Sequence, residues 1–172
     1  DTKLGLEKIG INKEVANDIG IKFLKIAMPW PLEETVIEKF AENLDKIIVV
    51  EEKRSIIETQ VKEILFNKNL KVKVIGKKDE NSNDLFVSSG ALDPGEIGLK
   101  IYEKIKYLKL PEDVTNFAMQ LKSLTKSTNS NISLKRVPHF CSGCPHNTST
   151  RIPEGSRAIT GISCAYLVEH ME

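Results

Sequence analysis

Cysteine is scarce in this sequence, and long apolar runs and a basic stripe are absent from it. Only three of the 172 residues are cysteine, and this odd number argues against a disulfide framework and for a reducing, cytoplasmic compartment. No apolar run approaches the length of a membrane span. Lysine and glutamate are interleaved at a formal net charge of +1, so neither a nucleic-acid partner nor a membrane partner is predicted.

The length suits one full domain, or one domain with a piece of another. Hydrophobic residues make up 40% of the chain, which is enough for a packed core. The chain begins with Asp1 rather than Met, carries no signal segment, and stops at Glu172 where a helical pattern starts. We therefore expect it to be a fragment of a longer protein.

Strand-like and helix-like apolar patterns alternate along residues 1–125, which predicts an α/β fold. The predicted strands are residues 21–28, 47–50 and 71–76, and the predicted helices are residues 3–19 with a break at Gly10, 32–44, 55–66, 94–108 and 111–125. Because the connections are short, we expect a mostly parallel sheet with helices on both faces. A further strand around residues 84–87 would cover an open edge of that sheet.

Particular residues mark where these elements begin and end. Asn12 is suited to cap a helix, and Gly20 is suited to end one. Pro94 stands at a predicted helix start, where proline is favoured. The run Pro29-Trp30-Pro31 stops both helix and strand, and we interpret it as a rigid turn with the indole packed on the sheet.

Four charged residues, Glu51-Glu52-Lys53-Arg54, follow the second predicted strand. Ligand sites in parallel sheets lie beyond the carboxyl ends of the strands, so the tetrad is a candidate for facing a pocket or a partner domain. An equally good interpretation is a solvated loop with an intrahelical ion pair, such as Arg54 with Glu58.

Residues 125–136 are dominated by Ser, Thr and Asn and contain no acidic residue. This composition is typical of a linker. The predicted organisation is therefore a domain at residues 1–125, a linker at residues 126–136, and the opening of a second domain at residues 137–172.

All three cysteines lie after the predicted linker. Cys141 and Cys144 form a Cys-x-x-Cys pair, and Cys164 follows a second turn. Thiolates select soft metals, so the three thiols are candidate ligands of zinc or of an iron–sulfur cluster. Both sites usually have four ligands, so either a histidine, His146 or His139, completes the site or the site is incomplete.

Two other interpretations of the cysteines stay open. Cys141 and Cys144 could form a redox-active dithiol, which leaves Cys164 without a role. All three could instead be small buried hydrophobic side chains, although the Cys-x-x-Cys spacing makes this the minority outcome.

Residues 138–158, together with Gly161-Ile162-Ser163-Cys164, resemble the indolepyruvate ferredoxin oxidoreductases, which are thiamine-diphosphate-dependent 2-oxoacid:ferredoxin oxidoreductases. Shorter upstream stretches are also similar to this family: Met28-Pro29-Trp30-Pro31-Leu32, Val49-Val50-Glu51-Glu52-Lys53-Arg54, Gln60 and Gly76-Lys77. The resemblance covers nearly the whole chain, and the cysteine stretch is its most specific part.

The resemblance implies an architecture and a set of cluster ligands. Residues 1–125 would be a three-layer α/β/α transketolase C-terminal-like domain, preceded in the full protein by a pyrimidine-binding domain. Residues 137–172 would be the truncated start of a thiamine-diphosphate-binding domain. Cys141, Cys144 and Cys164 would be ligands of a [4Fe–4S] cluster whose fourth ligand lies beyond the chain.

The same resemblance implies that His146, Gly161 and Ile162 contact thiamine diphosphate. Ser163 and Ala165 depart here from the family pattern, which has glycine before the cysteine and often a polar residue after it. No residue of the chain is assigned a catalytic role.

The implied reaction is the oxidative decarboxylation of an aryl pyruvate, such as indolepyruvate, to an acyl-coenzyme A. Thiamine diphosphate with magnesium would supply the decarboxylation chemistry, and the cluster would pass electrons to ferredoxin. The implied partners are the remaining domains or subunits of the same oxidoreductase, ferredoxin, coenzyme A and the 2-oxoacid. We expect the fragment to be inactive alone. The alternative function is a non-enzymatic zinc-binding or domain-docking module.

Overall fold

The computed structural model describes residues 1–66, 68, 70–127, 137–159 and 161–171. The chain divides into two compact units, Asp1–Thr128 and Asn129–Glu172. Residues 128–136, which make up most of the predicted linker 126–136, lie outside the described residues. Among the helices of the described ranges, none is long and apolar enough to cross a membrane.

The first unit alternates helices with strands. The elements are α1 (Thr2–Lys8), α2 (Lys13–Asp18), α3 (Glu34–Ala41), β1 (Lys46–Ile48), α4 (Ile56–Phe66), β2 (Lys73–Ile75), α5 (Pro94–Ile105) and α6 (Glu112–Ser127). This order confirms the predicted α/β class and every predicted helix of the first unit. The strands at residues 47–50 and 71–76 are confirmed in shortened form.

The two strands form a parallel sheet with an apolar core on each face. Ile47 of β1 lies opposite Val74 of β2, and α4 connects the strands. Because side chains alternate along a strand, Ile47 packs with the core of α3 and α4, whereas Ile48 packs against the core of α1, α2, α5 and α6. The sheet is therefore covered by helices on both sides, as the sequence predicted.

The predicted strand at residues 21–28 is wrong, because this segment has no regular secondary structure and belongs to no sheet. Ile21 packs against the α1–α5 core, whereas Leu24 and Ile26 pack against the α3–α4 core. A groove of about 710 Å³ is lined by residues 21–26 and by residues 46–50 of β1 and its continuation. The apolar side chains are thus partly buried by the two cores without any ladder of hydrogen bonds to β1.

The further strand suggested around residues 84–87 is also not formed. Asp84 makes an isolated antiparallel bridge with Lys78, and residues 85–87 continue without regular structure. Leu85 and Phe86 are nevertheless buried in the α1–α5 core. The apolar pattern that suggested a strand therefore reflects core packing of a loop.

Helix ends follow the capping residues in the sequence. The Asn12 side chain accepts a hydrogen bond from the Val15 amide at 2.9 Å, and Gly20 has a φ of 79° just after α2. Asp93 caps α5 by accepting from the Gly95 amide at 2.7 Å. The predicted roles of Asn12 and Gly20 are confirmed, since each end satisfies groups that the helix leaves unpaired.

Helices α1 and α5 pack backbone against backbone. Gly5 and Gly98 face each other, and a Cβ on Gly98 would overlap the carbonyl oxygen of Gly5. A Cβ on Gly5 would in turn lie 3.0 Å from the Gly98 nitrogen. The closest part of this helix pair can therefore only be built from glycine.

Asp79 and Glu80 form an acidic turn after β2 that ties β1 to α5. Lys104 of α5 pairs with Asp79 at 2.8 Å and with Glu80 at 3.0 Å, and Lys46 of β1 pairs with Glu80 at 2.6 Å. The hydrogen bond from Lys104 holds the pKa of Asp79 well below its ordinary value. The hydrogen bond from Lys46, reinforced by Lys104, lowers the pKa of Glu80 to about 2.

The second unit contains two short helical elements in its described part. These are α7 (His146–Ser149) and a 3-10 helix (Cys164–His170). Phe140 is its most deeply buried described aromatic residue, with 9% of its surface exposed. This small unit carries all three cysteines.

Candidate functional site

The Cys141–Cys144 pair occupies one tight turn. The Cys144 amide donates to the Cys141 carbonyl oxygen at 3.0 Å, and Gly143 has a φ of 75°, which a glycine adopts without strain. The side-chain amide of Asn147 also donates to the Cys141 carbonyl oxygen, at 3.1 Å. Both thiols are free; Cys141 is exposed and Cys144 is half-buried.

His146 stands directly beside this turn. Its Nδ1 lies 3.2 Å from Sγ of Cys144, and its ring stacks on Phe140 with centroids 5.3 Å apart and planes 27° apart. The Thr150 hydroxyl donates to the His146 carbonyl oxygen at 2.5 Å. A thiol, an imidazole and a buried aromatic ring are thus held together by contacts within eleven consecutive residues, 140–150.

Cys164 lies on a separate element. It begins the 3-10 helix, whose first turn is capped by the Ser163 hydroxyl accepting from the Ala165 amide at 3.3 Å. Within the described ranges, no group of three or more His, Cys, Asp or Glu side chains gathers closely enough to hold a metal ion. Cys141 and Cys144 thus share one backbone turn, and Cys164 lies on a different element.

Of the three residues predicted to contact thiamine diphosphate, Gly161 and Ile162 are open to solvent and His146 is half-buried. The Ile162 side chain is fully exposed, and a Cβ on Gly161 would have no atom within 4 Å. His146 is turned toward Cys144 instead. These three residues do not form an enclosed cofactor site in this structure.

The charged tetrad at the end of β1 is built into the fold. The Glu51 carboxylate accepts hydrogen bonds from the amides of Ile57 and Glu58, at 2.8 and 3.0 Å, and so caps α4. Glu58 pairs with Lys62 at 2.5 Å, so the suggested Arg54–Glu58 ion pair is wrong. The other carboxylate oxygen of Glu58 accepts a hydrogen bond from the Lys77 amide at 2.7 Å and so ties α4 to the end of β2.

The middle of the tetrad anchors the loop that precedes α5. Glu52 accepts from the Leu92 amide at 3.3 Å, and the Lys53 ammonium donates to the Gly90 carbonyl oxygen at 3.1 Å. Lys77, at the end of β2, donates to the Val87 carbonyl oxygen at 3.2 Å. Loop residues 87–92 are therefore fixed beside the carboxyl ends of both strands, and the tetrad is structural in its first three residues.

The Trp30 turn is held by its main chain and not by its indole. Gln60, which is 7% exposed, accepts from the Leu32 amide at 2.9 Å and donates to the Pro29 carbonyl oxygen at 2.8 Å. Trp30 itself is 69% exposed, so the predicted packing of the indole on the sheet is wrong. Sequence reasoning missed Gln60 as an anchor, because its partners lie 28 and 31 residues away.

The chain is similar to known indolepyruvate oxidoreductases. A family model described as the indolepyruvate oxidoreductase domain matches residues 1–129. The indolepyruvate oxidoreductase subunit IorA of Thermococcus kodakarensis is 28% identical over 165 residues, covering 87% of this chain and 22% of that protein. The same subunit of Pyrococcus abyssi is 26% identical over 156 residues, with the same coverages of 87% and 22%.

A further relative shows higher identity over a shorter stretch. The IorA subunit of Pyrococcus horikoshii is 33% identical over 84 residues, which cover 45% of this chain and 13% of that protein. The chain thus spans only 22% of the length of the first two relatives. No solved structure matches the chain significantly.

Proposed function

The chain belongs to the indolepyruvate oxidoreductase domain family, and from this premise we propose that it is part of an enzyme that oxidatively decarboxylates indolepyruvate or a similar aryl pyruvate. The match over residues 1–129 carries the proposal, and the IorA relatives support it. The family resemblance expected from the sequence is confirmed by these matches.

The proposed reaction removes carbon dioxide from the 2-oxoacid, transfers the acyl group to coenzyme A and passes two electrons to ferredoxin. Thiamine diphosphate with magnesium, when bound in the longer protein, supplies the decarboxylation chemistry. Gly161 and Ile162 are open to solvent in this structure, so these two residues do not enclose the cofactor here. The proposed location is the cytoplasm, where free cysteines such as these stay reduced.

The proposed architecture is a transketolase C-terminal-like domain followed by the start of a thiamine-diphosphate-binding domain. Two features of the first unit support its part of this proposal: the parallel pairing of β1 with β2, and the apolar core on each face of the sheet. The remaining domains or subunits of the oxidoreductase, together with ferredoxin, are the proposed partners.

Cys141, Cys144 and Cys164 are the proposed ligands of a [4Fe–4S] cluster. The donor chemistry fits, because thiolates are the usual ligands of such clusters, and Cys141 and Cys144 present free thiols from one turn. Cys164 would have to approach that turn to complete three ligands. With three cysteines in the sequence, we expect a cluster in this chain to be labile.

Anaerobic reconstitution with ferrous iron and sulfide tests the cluster assignment. We expect the chain to gain bound iron, bound sulfide and visible charge-transfer absorption, and we expect Cys141→Ala or Cys144→Ala to abolish the gain. Ser142→Ala, which changes the exposed position between the two cysteines, is the matched control and should behave as the parent chain. Equal iron and sulfide uptake by the parent chain and Cys144→Ala contradicts the assignment.

The Cys-x-x-Cys turn of Cys141 and Cys144 also suits a zinc site, so a non-enzymatic zinc-binding module is the second candidate function. Tight zinc binding without iron or sulfide uptake in the same experiment favours that candidate. For the enzyme proposal, the chain alone should not reduce a viologen dye in the presence of indolepyruvate and coenzyme A, since it spans 22% of the relatives. Measurable turnover would refute that expectation.

A further inference from the structure

We propose that His146 is a positioning residue for the metal-binding thiolate, and that its Nδ1–H donates a hydrogen bond to Sγ of Cys144. This inference rests on the proposed role of Cys144 as a metal or cluster ligand. It gives His146 a role that its observed contacts support, and the expectation that His146 contacts thiamine diphosphate stays a prediction.

The direction of the hydrogen bond follows from the chemistry of the ligand. The Nδ1 and Sγ atoms are 3.2 Å apart. A cysteine that binds a metal does so as the thiolate, which has no proton to donate. Because the sulfur can then only accept, the proton in this contact must be carried by Nδ1.

The distance also bears on whether His146 is itself a ligand. Bond lengths of about 2.3 Å for zinc–sulfur and about 2.05 Å for zinc–nitrogen place two ligand atoms of a tetrahedral zinc ion about 3.6 Å apart. The observed 3.2 Å separation is shorter and suits a direct N–H···S contact. The contact in this structure is therefore a direct one between nitrogen and sulfur, and the Co²⁺ ligand-field spectrum distinguishes hydrogen-bond donation from shared coordination.

The imidazole is held in place on its other side. Its ring stacks on Phe140, which is 9% exposed. Two hydrogen bonds hold the backbone around His146. The Asn147 backbone amide donates to the Cys144 carbonyl oxygen at 3.0 Å, and the Thr150 hydroxyl donates to the His146 carbonyl oxygen. Moving the whole ring off Phe140 would also carry Nδ1 away from Sγ, so the stack helps to hold the imidazole beside the thiol.

A donor of this kind changes the properties of the ligand sulfur. It withdraws electron density from the thiolate, which stabilises the bound thiolate and the more reduced state of a cluster. Loss of such an outer partner typically weakens metal binding about 10–100-fold. His146 should therefore affect metal affinity and sulfur electronics without being a ligand.

The test uses the whole chain and Co²⁺ as the probe. Co²⁺ is titrated anaerobically, and both its dissociation constant and its thiolate-to-cobalt charge-transfer absorption are recorded. His146→Phe keeps an aromatic ring to stack on Phe140 but has no donor, whereas His146→Asn offers an amide N–H close to the position of Nδ1. Ser149→Ala changes an exposed residue of the same helix, α7, and is the matched control.

We expect His146→Phe to weaken Co²⁺ binding about 10–100-fold and to shift the charge-transfer band to longer wavelength, because the sulfur becomes more electron-rich. His146→Asn should restore most of the affinity and the band position, and Ser149→Ala should match the parent chain. Unchanged binding and an unchanged band in His146→Phe would overturn the inference. The inference would also be overturned if His146→Asn lost Co²⁺ binding as fully as His146→Phe and its ligand-field spectrum changed. That result would identify His146 as a metal ligand.

Failure of the underlying assignment gives a different result. If Cys144→Ala binds Co²⁺ as tightly as the parent chain and neither shows a thiolate band, the metal role of Cys144 itself is wrong. If Cys144→Ala abolishes the band but His146→Phe leaves it unaffected, only the inference about His146 is wrong. Circular dichroism of each variant establishes that the unit is still folded.

Discussion

Replacing Gln60 with alanine should release the Trp30 turn and destabilise the first unit. The Gln60 side chain makes three hydrogen bonds: from the Leu32 amide at 2.9 Å, to the Pro29 carbonyl oxygen at 2.8 Å and to the Ile56 carbonyl oxygen at 2.9 Å. The side chain is 7% exposed, so water does not readily replace it. The substitution leaves two groups, the Leu32 amide and the Pro29 carbonyl, without their partner.

The expected loss can be estimated from these two groups. A buried donor or acceptor left without a partner costs about 1–3 kcal/mol. Partial access of water to the Pro29 carbonyl favours the lower end for that group, so we expect a total loss of about 2–4 kcal/mol in the free energy of unfolding. For a chain of this size, that corresponds to a fall of roughly 10 °C in the melting temperature.

Urea denaturation followed by circular dichroism measures the change in stability. The sequence contains one tryptophan, so the fluorescence anisotropy of the native state reports on the Trp30 turn alone and should fall in Gln60→Ala. Glu63→Ala is the matched control, because Glu63 is an exposed residue of the same helix and both residues are good helix formers. A loss for Gln60→Ala no larger than that for Glu63→Ala would show that the three hydrogen bonds do not hold the turn.

Two further predictions concern the first unit. Gly98→Ala should destabilise the first unit by at least about 1–3 kcal/mol, since the new methyl group overlaps the Gly5 carbonyl oxygen. Gly161→Ala, whose new methyl group meets open space, should change the urea midpoint little. Equal urea midpoints for the two variants would contradict the packing of α1 on α5. The carboxyls of Asp79 and Glu80 have lowered pKa values in the folded state, so the unfolded state binds more protons. Their contribution to the free energy of unfolding is therefore complete above pH 4.5 and is lost as the pH falls toward about 2. Lys104→Met should therefore give a shallower decline in melting temperature over that range, and parallel declines would refute the role of the turn.

Local structure was the most predictable part of the chain. The apolar periodicity of residues 55–66 predicted α4, and Val61 and Leu65 are indeed buried. The cap at Asn12 was equally predictable, because a cap depends on residues within one helical turn. The tight turn of Cys141 and Cys144 belongs to the same class, since a Cys-x-x-Cys pair with an intervening glycine needs only local geometry.

Errors arose where the outcome depended on distant partners. Residues 21–28 have the pattern of a strand, but whether a strand forms depends on the backbone that comes alongside it, and here a groove adjoins β1. Gln60 reads as a polar position on an amphipathic helix, yet it is buried, because the Pro29–Leu32 main chain supplies its partners. The expected convergence of Cys164 with Cys141 and Cys144 also depends on distant partners, and it stays a prediction.

The sequence by itself determined the helices of the first unit, the two strands that pair, and the presence of a thiol pair on one turn, because each depends mainly on residues that are close along the chain. It also determined the family, which the match over residues 1–129 bears out. Only the tertiary structure decided that the charged tetrad caps α4 and anchors the loop at residues 87–92. It also decided that His146 faces Cys144 and stacks on Phe140. The physical reason is that hydrogen bonds and packing between side chains are fixed by where the backbone brings them, and a periodic pattern records only which residues are buried.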